Sequence, residues 1–209
     1  MLSDTEKPSS ELLPVFLKLH KRPVLVAGAG MVALEKIEGL LLAQADIQVI
    51  SLHAIPEIRE LAGQGKIKLK LRKIRKRDLL KKFMVYVAIG DKKINERLRA
   101  YATRKNILLN VVDDPVYCDF YSASVVRKGP WRIAVSTQGK FAGLSSILSR
   151  TLQTILPDEQ LQDWNEMTVL RERLKRATDS QPERTQFLRK VLQDLKEKVL
   201  SIEDKKIGL

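Results

Sequence analysis

The stretch "RPVLVAGAGMVALEKIEGLLLA", residues 22–43, constrains the fold of this chain more than any other. A short apolar run, Val24 to Ala27, leads without a linker into Gly28-Ala29-Gly30-Met31-Val32-Ala33. A helical pattern follows at once. Gly28 permits a sharp turn, Gly30 leaves the backbone bare for a ligand to approach, and Ala33 lets helix and strand pack closely. The start of the helix favours a negative group through its free N–H groups and dipole. The pattern is the G-x-G-x-x-A form of the dinucleotide fingerprint, set between a strand and a helix as that fingerprint requires. A tight strand–helix turn with no ligand would use the same residues, so the rest of the chain has to decide.

The neighbouring sequence keeps the same alternation. The runs "RPVLVAG", "DIQVIS", "KIKLKL", "FMVYVAI" and "ILLNVV" read as strands. Between them "VALEKIEGLLLAQ", "IPEIRELAGQG" and "DKKINERLRAYATRKN" read as helices. Strand–helix–strand alternation implies a parallel sheet covered by helices on its faces. A preliminary strand, "PVFLKL", is expected before the first, joined to it by "HKRP". The fold class is therefore α/β: a Rossmann-like parallel sheet over residues 1–113, then a small α+β region over 114–152 and a helical region over 153–209. In the middle zone "YSASVVRKGPWRIAVST" reads as a hairpin about a Lys-Gly-Pro turn, and "AGLSSILSRTLQTIL" as a helix. A lone hairpin and helix bury little, which suggests packing against a second copy of the chain. The last zone carries two charged helical stretches, with Pro182 at the first turn of the second.

Composition narrows the function classes. The formal net charge is +13 over 209 residues, a field that recruits anions. Nucleic acid, an acidic membrane surface and a small polyanionic substrate would all be served. No apolar run is long enough to span a bilayer, and the polar start "MLSDTEKPSS" does not read as a targeting signal. One cysteine excludes an internal disulfide framework and points to a reducing cytoplasm. With two histidines and that cysteine, no ordinary zinc site is expected. The basic run "KIKLKLRKIRKRDLLKK" alternates apolar and charged residues in its first half, as a solvated edge strand does, and lacks the exposed aromatics of single-strand binders.

Two places on the expected ligand rim carry candidate chemistry. The second strand should end near an acid that binds the adenosine ribose. It ends in Ser51, Leu52 and His53, with no carboxylate before Glu57, so NAD and NADP stay open from the residues alone. The fifth strand ends in Asn110-Val111-Val112 and then Asp113-Asp114-Pro115. Ligands of open α/β sheets bind at the carboxyl ends of the strands, where a carboxylate can accept a proton. Asp before Pro is also a common turn starter, so one acid can serve the turn while the other faces the site. Cys118 has no histidine near it in sequence and reads as a structural thiol.

Taken together, "LLPVFLKLHKRPVLVAGAGMVALEKIEGLLLA", "NVVDDPVYCDF", "SASVVRKGPWRIAVSTQGK" and "SSILSRTLQTILP" resemble the precorrin-2 dehydrogenase/sirohydrochlorin ferrochelatase family, the stand-alone form of the N-terminal module of siroheme synthases. The resemblance covers essentially the whole chain. It implies a homodimeric cytoplasmic oxidoreductase that uses NAD to oxidise precorrin-2 to sirohydrochlorin, with 114–152 as the dimerisation region. In several members the same cleft inserts a metal, so a ferrous or cobaltous ion would be a substrate rather than a resident cofactor. It implies Asp113 as the essential acid and Asp114 as the structural one. NAD contacts fall on Gly28, Gly30, Met31, Val32, Leu52, His53 and Ile89; substrate contacts fall on Asn110, Thr137, Gly139 and Lys140. A polycarboxylate tetrapyrrole would account for the positive charge without nucleic acid or membrane. Two loops depart from the family pattern: "GGKSP" is here "QGKFA", and "ATDD" is "AIGD". These changes keep a second reading open, a non-catalytic module that binds NAD or a tetrapyrrole.

Overall fold

The computed structural model describes residues 11–129 and 131–156, together with Val169, Glu172 and Pro182. Those three positions are helical; the two charged helices expected after residue 156 otherwise lie outside the described residues. The chain divides into two compact units. Of the described residues, one holds 11–124 and Ser136–Ser145, the other Val125–Val135 and the rest of the helix that follows, from Ser146.

The first unit is built on five strands: β1 (Pro23–Ala27), β2 (Asp46–Ser51), β3 (Lys68–Leu71), β4 (Met84–Val87) and β5 (Leu108–Val111). Every pairing is parallel, in the order β3-β2-β1-β4-β5. Helices α1 (Met31–Leu42), α2 (Pro56–Gly63) and α3 (Lys92–Arg104) connect them. Alternate residues of the strands feed two apolar layers. Val24 and Val26 pack with Ala33, Ile37 and Ile58 on one face. Leu25, Ala27 and Leu109 pack with Leu79, Leu98 and Ala102 on the other. Burial on both faces is why the central strands β1 and β4 read as unbroken apolar runs. In α1 the buried positions Ala33, Ile37 and Leu40 recur at helical spacing. Asp91 caps α3, its carboxylate accepting from the Ile94 N–H at 3.0 Å.

The two edges are protected differently. At β3, Lys68 and Lys70 face solvent, as the charge alternation leads one to expect of an edge. At β5 the chain folds back on itself. The Asp119 N–H donates to the Leu109 carbonyl at 2.7 Å, and the Asp119 carboxylate accepts from the Leu109 N–H at 2.9 Å. This strap satisfies backbone groups that an open edge would leave bare.

The expected strand "PVFLKL" does not form. Residues 11–19 have no regular structure, and Leu13, Val15, Phe16 and Leu17 are exposed while Leu19 is buried. The reason is topological. A strand tied to β1 by a tight link would have to pair beside it, yet β1 is already bonded to β2 on one side and β4 on the other.

The remaining elements match the hairpin and helix read from sequence. β6 (Ser124–Lys128) and β7 (Trp131–Val135) make a two-stranded sheet. Helix α4 (Ala142–Ile155) follows. Among the described residues no helix is long and apolar enough to cross a membrane.

Candidate functional site

One row of residues defines the ligand rim. Ile50 lies opposite Ala27, Ala27 opposite Val87, and Val87 opposite Val111. Hydrogen bonds carry this alignment to the strand tips. The Gly28 N–H donates to the Ile50 carbonyl at 2.9 Å, Ala88 to Ala27 at 2.7 Å, and Val112 to Val87 at 2.9 Å. The residues that follow the row are therefore delivered side by side: Leu52 and His53 from β2, Gly28 to Val32 from β1, Ile89 from β4 and Asp113 from β5. Neighbouring strands lie about 4.8 Å apart, so Asp113 sits about 10 Å along the rim from the glycine turn.

Gly28 and Gly30 have different jobs. Gly28 has φ +113°, and a Cβ there would lie 2.3 Å from the Ala88 carbonyl oxygen. It serves both the turn and the close approach of β1 to the end of β4. A Cβ on Gly30 would meet nothing within 4 Å, so the backbone stands open to a ligand. Gly30 is the N-cap of α1, no side chain caps the helix, and its first turn holds no acid. Ala33 is fully buried, as its place in the fingerprint demands. Met31, Val32, Leu52 and His53 are exposed, and Ile89 packs partly against the core. The uncapped N–H groups and the bare glycine fit a pyrophosphate.

Asp113 is exposed in the turn after β5, with φ +60°. Among the described residues its side chain makes no hydrogen bond or ion pair, which leaves the carboxylate open to a ligand. Asp114 is structural through its backbone rather than through its acid. It precedes the 3-10 turn Pro115–Tyr117, but its carboxylate makes no capping bond. Its carbonyl instead accepts from the Tyr117 N–H at 3.2 Å and from the Cys118 thiol at 3.3 Å. Asp119 is the acid that holds the segment, bonded to Leu109 and paired with Arg99. Sequence reading missed it, because its value depends on β5 being an edge strand. Cys118 is half-buried, with the Val111 N–H 3.2 Å from Sγ and the Val111 carbonyl also within 3.2 Å. Burial pushes its thiol up from the ordinary value, which makes it a poor nucleophile at neutral pH.

Asn110 faces inward. It is buried, and its amide donates to the Phe120 carbonyl at 2.8 Å and toward Cys118 Sγ at 3.4 Å. Its work is to hold the strap beside β5. Phe120 stacks edge-on to Tyr86, with ring centroids 5.3 Å apart. Gly139 then leans on the next residue of the strap: a Cβ there would meet the Tyr121 ring at 3.3 Å. The turn at Thr137 is closed by the Lys140 N–H donating to the Thr137 carbonyl at 3.0 Å. Thr137 Oγ1 accepts from the Phe141 N–H at 3.0 Å, just before α4. Gln138 and Gly139, the central residues, both have positive φ, at 56° and 77°. Thr137, Gly139 and Lys140 are thus brought to the strap that β5 carries. Among the described residues no group of three or more His, Cys, Asp or Glu is arranged to hold a metal ion.

A family model described as "Putative NAD(P)-binding" matches residues 15–124, the span that builds the sheet and its rim. The chain belongs to this NAD(P)-binding family. Within the family its relatives include siroheme synthase 1 of Klebsiella pneumoniae, 35% identical over 147 residues, which are 70% of this chain and 31% of that protein. The siroheme synthase of Nitrosococcus oceani is 31% identical over 183 residues, 88% of this chain and 39% of that protein. The chain thus spans between about a third and two fifths of the curated relatives it matches. Among solved structures, "SirC, precorrin-2 dehydrogenase" superposes with a TM-score of 0.73 at 24% identity, over 86% of this chain and 89% of that one. That likeness shows a shared Rossmann-like fold.

Proposed function

We propose that this chain oxidises precorrin-2 to sirohydrochlorin, with a nicotinamide dinucleotide as hydride acceptor and Asp113 as proton acceptor. The observation that carries the reading is the order along the rim: open glycine backbone, helix N-terminus, Ile89, then an exposed carboxylate without a partner among the described residues. Similarity to siroheme synthases and the fold shared with SirC support the choice of substrate. The acceptor is NAD by resemblance, although the β2 tip lacks the carboxylate that would fix that choice.

When bound, the dinucleotide supplies a two-electron acceptor for hydride. The chain's residues do the rest. The N–H groups at the start of α1 hold the pyrophosphate, and Gly30 gives it room. Asp113 receives the proton lost from the macrocycle or fixes the macrocycle's orientation. Lys140, exposed on the turn buttressed by Tyr121, would meet a substrate carboxylate. The net charge of +13 draws a polycarboxylate toward the surface. A ferrous or cobaltous ion, if inserted, is a second substrate, and Asp113 would take the two displaced pyrrole protons in turn, passing each to solvent. The working form is a cytoplasmic homodimer, in which residues 114–152 form the contact.

A second reading is favoured by the altered rim. Ile89 and Gly90 replace the family's Thr and Asp, and Gln138 occupies a left-handed position that suits glycine. It makes the chain a binding module without turnover. Anaerobic incubation with precorrin-2 and dinucleotide separates the two: reduced cofactor accumulates in the first case and does not in the second.

A further inference from the structure

The turn between β7 and α4 presents an aromatic ring that the fold does not use. From Ser136 to Gly143 the chain reads Ser-Thr-Gln-Gly-Lys-Phe-Ala-Gly. Phe141 is 64% exposed and joins neither apolar layer of the sheet. A lone exposed phenylalanine is ordinary on a protein surface. This one differs in being held. Its N–H donates to Thr137 Oγ1 at 3.0 Å, and the Gln138 N–H donates to Ser136 Oγ at 3.1 Å. A Cβ on Gly143 would meet the Phe141 ring at 3.7 Å, so the ring lies against the first turn of α4. The backbone is closed beneath the ring while most of the ring stays in water.

The turn also has a fixed place. Ser136–Ser145 belongs to the same compact unit as β5 and its strap. Gly139 sits against the Tyr121 ring, where a Cβ would come within 3.3 Å. Tyr121 follows Phe120, whose carbonyl accepts from Asn110 and whose ring meets Tyr86 edge-on. Asn110 and Tyr86 lie opposite each other, one position before Val111 and Val87 in the row that ends at the rim. Phe120 and Tyr86 pack in the layer that holds Ala33 and Ile37 of α1. The strap that anchors the turn therefore lies on the face of β4 and β5 that α1 also serves, below the tips that deliver Ile89 and Asp113. Lys140, the residue before the ring, is exposed. A ring and an ammonium on adjacent residues suit a flat apolar ring system edged with carboxylates. The ring offers a stacking face, and the ammonium offers a charge-assisted bond.

We infer that Phe141 binds the substrate, as the surface on which one face of the macrocycle rests while Lys140 meets a peripheral carboxylate. The inference rests on the proposed tetrapyrrole substrate and deepens it. Phe141 stands where the family pattern has Ser, so this chain carries an apolar contact there that the pattern lacks. The contact belongs to binding, and it can be read with or without turnover.

The test uses two readouts on the intact chain: the affinity for uroporphyrin, a stable flat octacarboxylate macrocycle, followed by absorbance, and anaerobic kinetics with precorrin-2. Phe141→Ala and Phe141→Ser should each weaken uroporphyrin binding about tenfold and raise the KM for precorrin-2 to match. The kcat, the dinucleotide affinity and the melting temperature should hold. Phe141→Tyr keeps the stacking face and should bind and react as the natural chain does. Phe16→Ala, which removes another exposed aromatic ring ahead of β1, should alter none of these quantities. Unchanged uroporphyrin affinity in Phe141→Ala, or a tyrosine variant as weak as the alanine one, would overturn the inference. So would a matching loss of dinucleotide affinity, which would give the ring to the cofactor. Precorrin-2 oxidised with the same KM by the natural chain and Phe141→Ala would leave the proposed activity standing and remove only the role of Phe141. A natural chain that neither binds uroporphyrin nor oxidises precorrin-2 would overturn the tetrapyrrole reading along with the inference.

Discussion

Gly28 and Gly30 look alike in a motif and differ in the structure. Gly28→Ala would set a methyl group against the Ala88 carbonyl, at a φ that L residues rarely adopt. The expected cost is about 3 kcal/mol or more, seen as a large fall in melting temperature. Gly30→Ala meets open space, so the melting temperature should hold while dinucleotide affinity drops. Calorimetry and nucleotide titration on the two variants check both outcomes. Asp113 has a residue-scale lesson of its own. At φ +60° it stands where Asn is also tolerated, so Asp113→Asn removes the acid without straining the turn. The glycine turn was legible because fingerprint spacing fixes Gly28, Gly30 and Ala33. The sequence did not show the strap returning along β5, which the Asn110 amide and the Asp119 carboxylate hold in place.

The elements of the sheet were legible for a related reason. Strands buried on both faces carry continuous apolar runs, and α1 shows its buried stripe in its spacing. "PVFLKL" has the same local character and failed, because pairing beside β1 is decided by the whole sheet and not by the segment. The loop from β3 to β4 is an element whose stability should follow pH. The Arg72 guanidinium beside Asp78 holds that carboxyl below the usual carboxylate range. A depressed folded value means the stabilising contribution is present above the ordinary carboxylate pKa. It is lost as pH falls through the depressed value. Asp78→Asn should cost about 2 kcal/mol at neutral pH. It should also flatten the acid limb of a stability curve measured by urea unfolding from neutral pH downward. An acid limb unchanged in the variant would show that other carboxylates set it.

At the scale of the whole molecule, α4 presents Leu144, Ile147, Leu148 and Ile155 to solvent, an apolar row at helical spacing. The proposed homodimer would cover such a row. Light scattering should give twice the chain mass, and Ile147→Asp/Leu148→Asp should give the single-chain mass. The same mass for both proteins would move the contact elsewhere. The positive charge, the open glycine turn and the exposed acid all serve one proposed event, removal of hydride and proton from an anionic macrocycle. The most direct measurement is absorbance during anaerobic incubation of precorrin-2 with dinucleotide, comparing the natural chain with Asp113→Asn. The natural chain should form sirohydrochlorin and reduced cofactor together. The variant should bind the dinucleotide as before and turn over about a hundredfold more slowly or less, the usual loss for a missing proton acceptor. Equal turnover by the two proteins would contradict the role given to Asp113, and no turnover by either would contradict the proposed reaction.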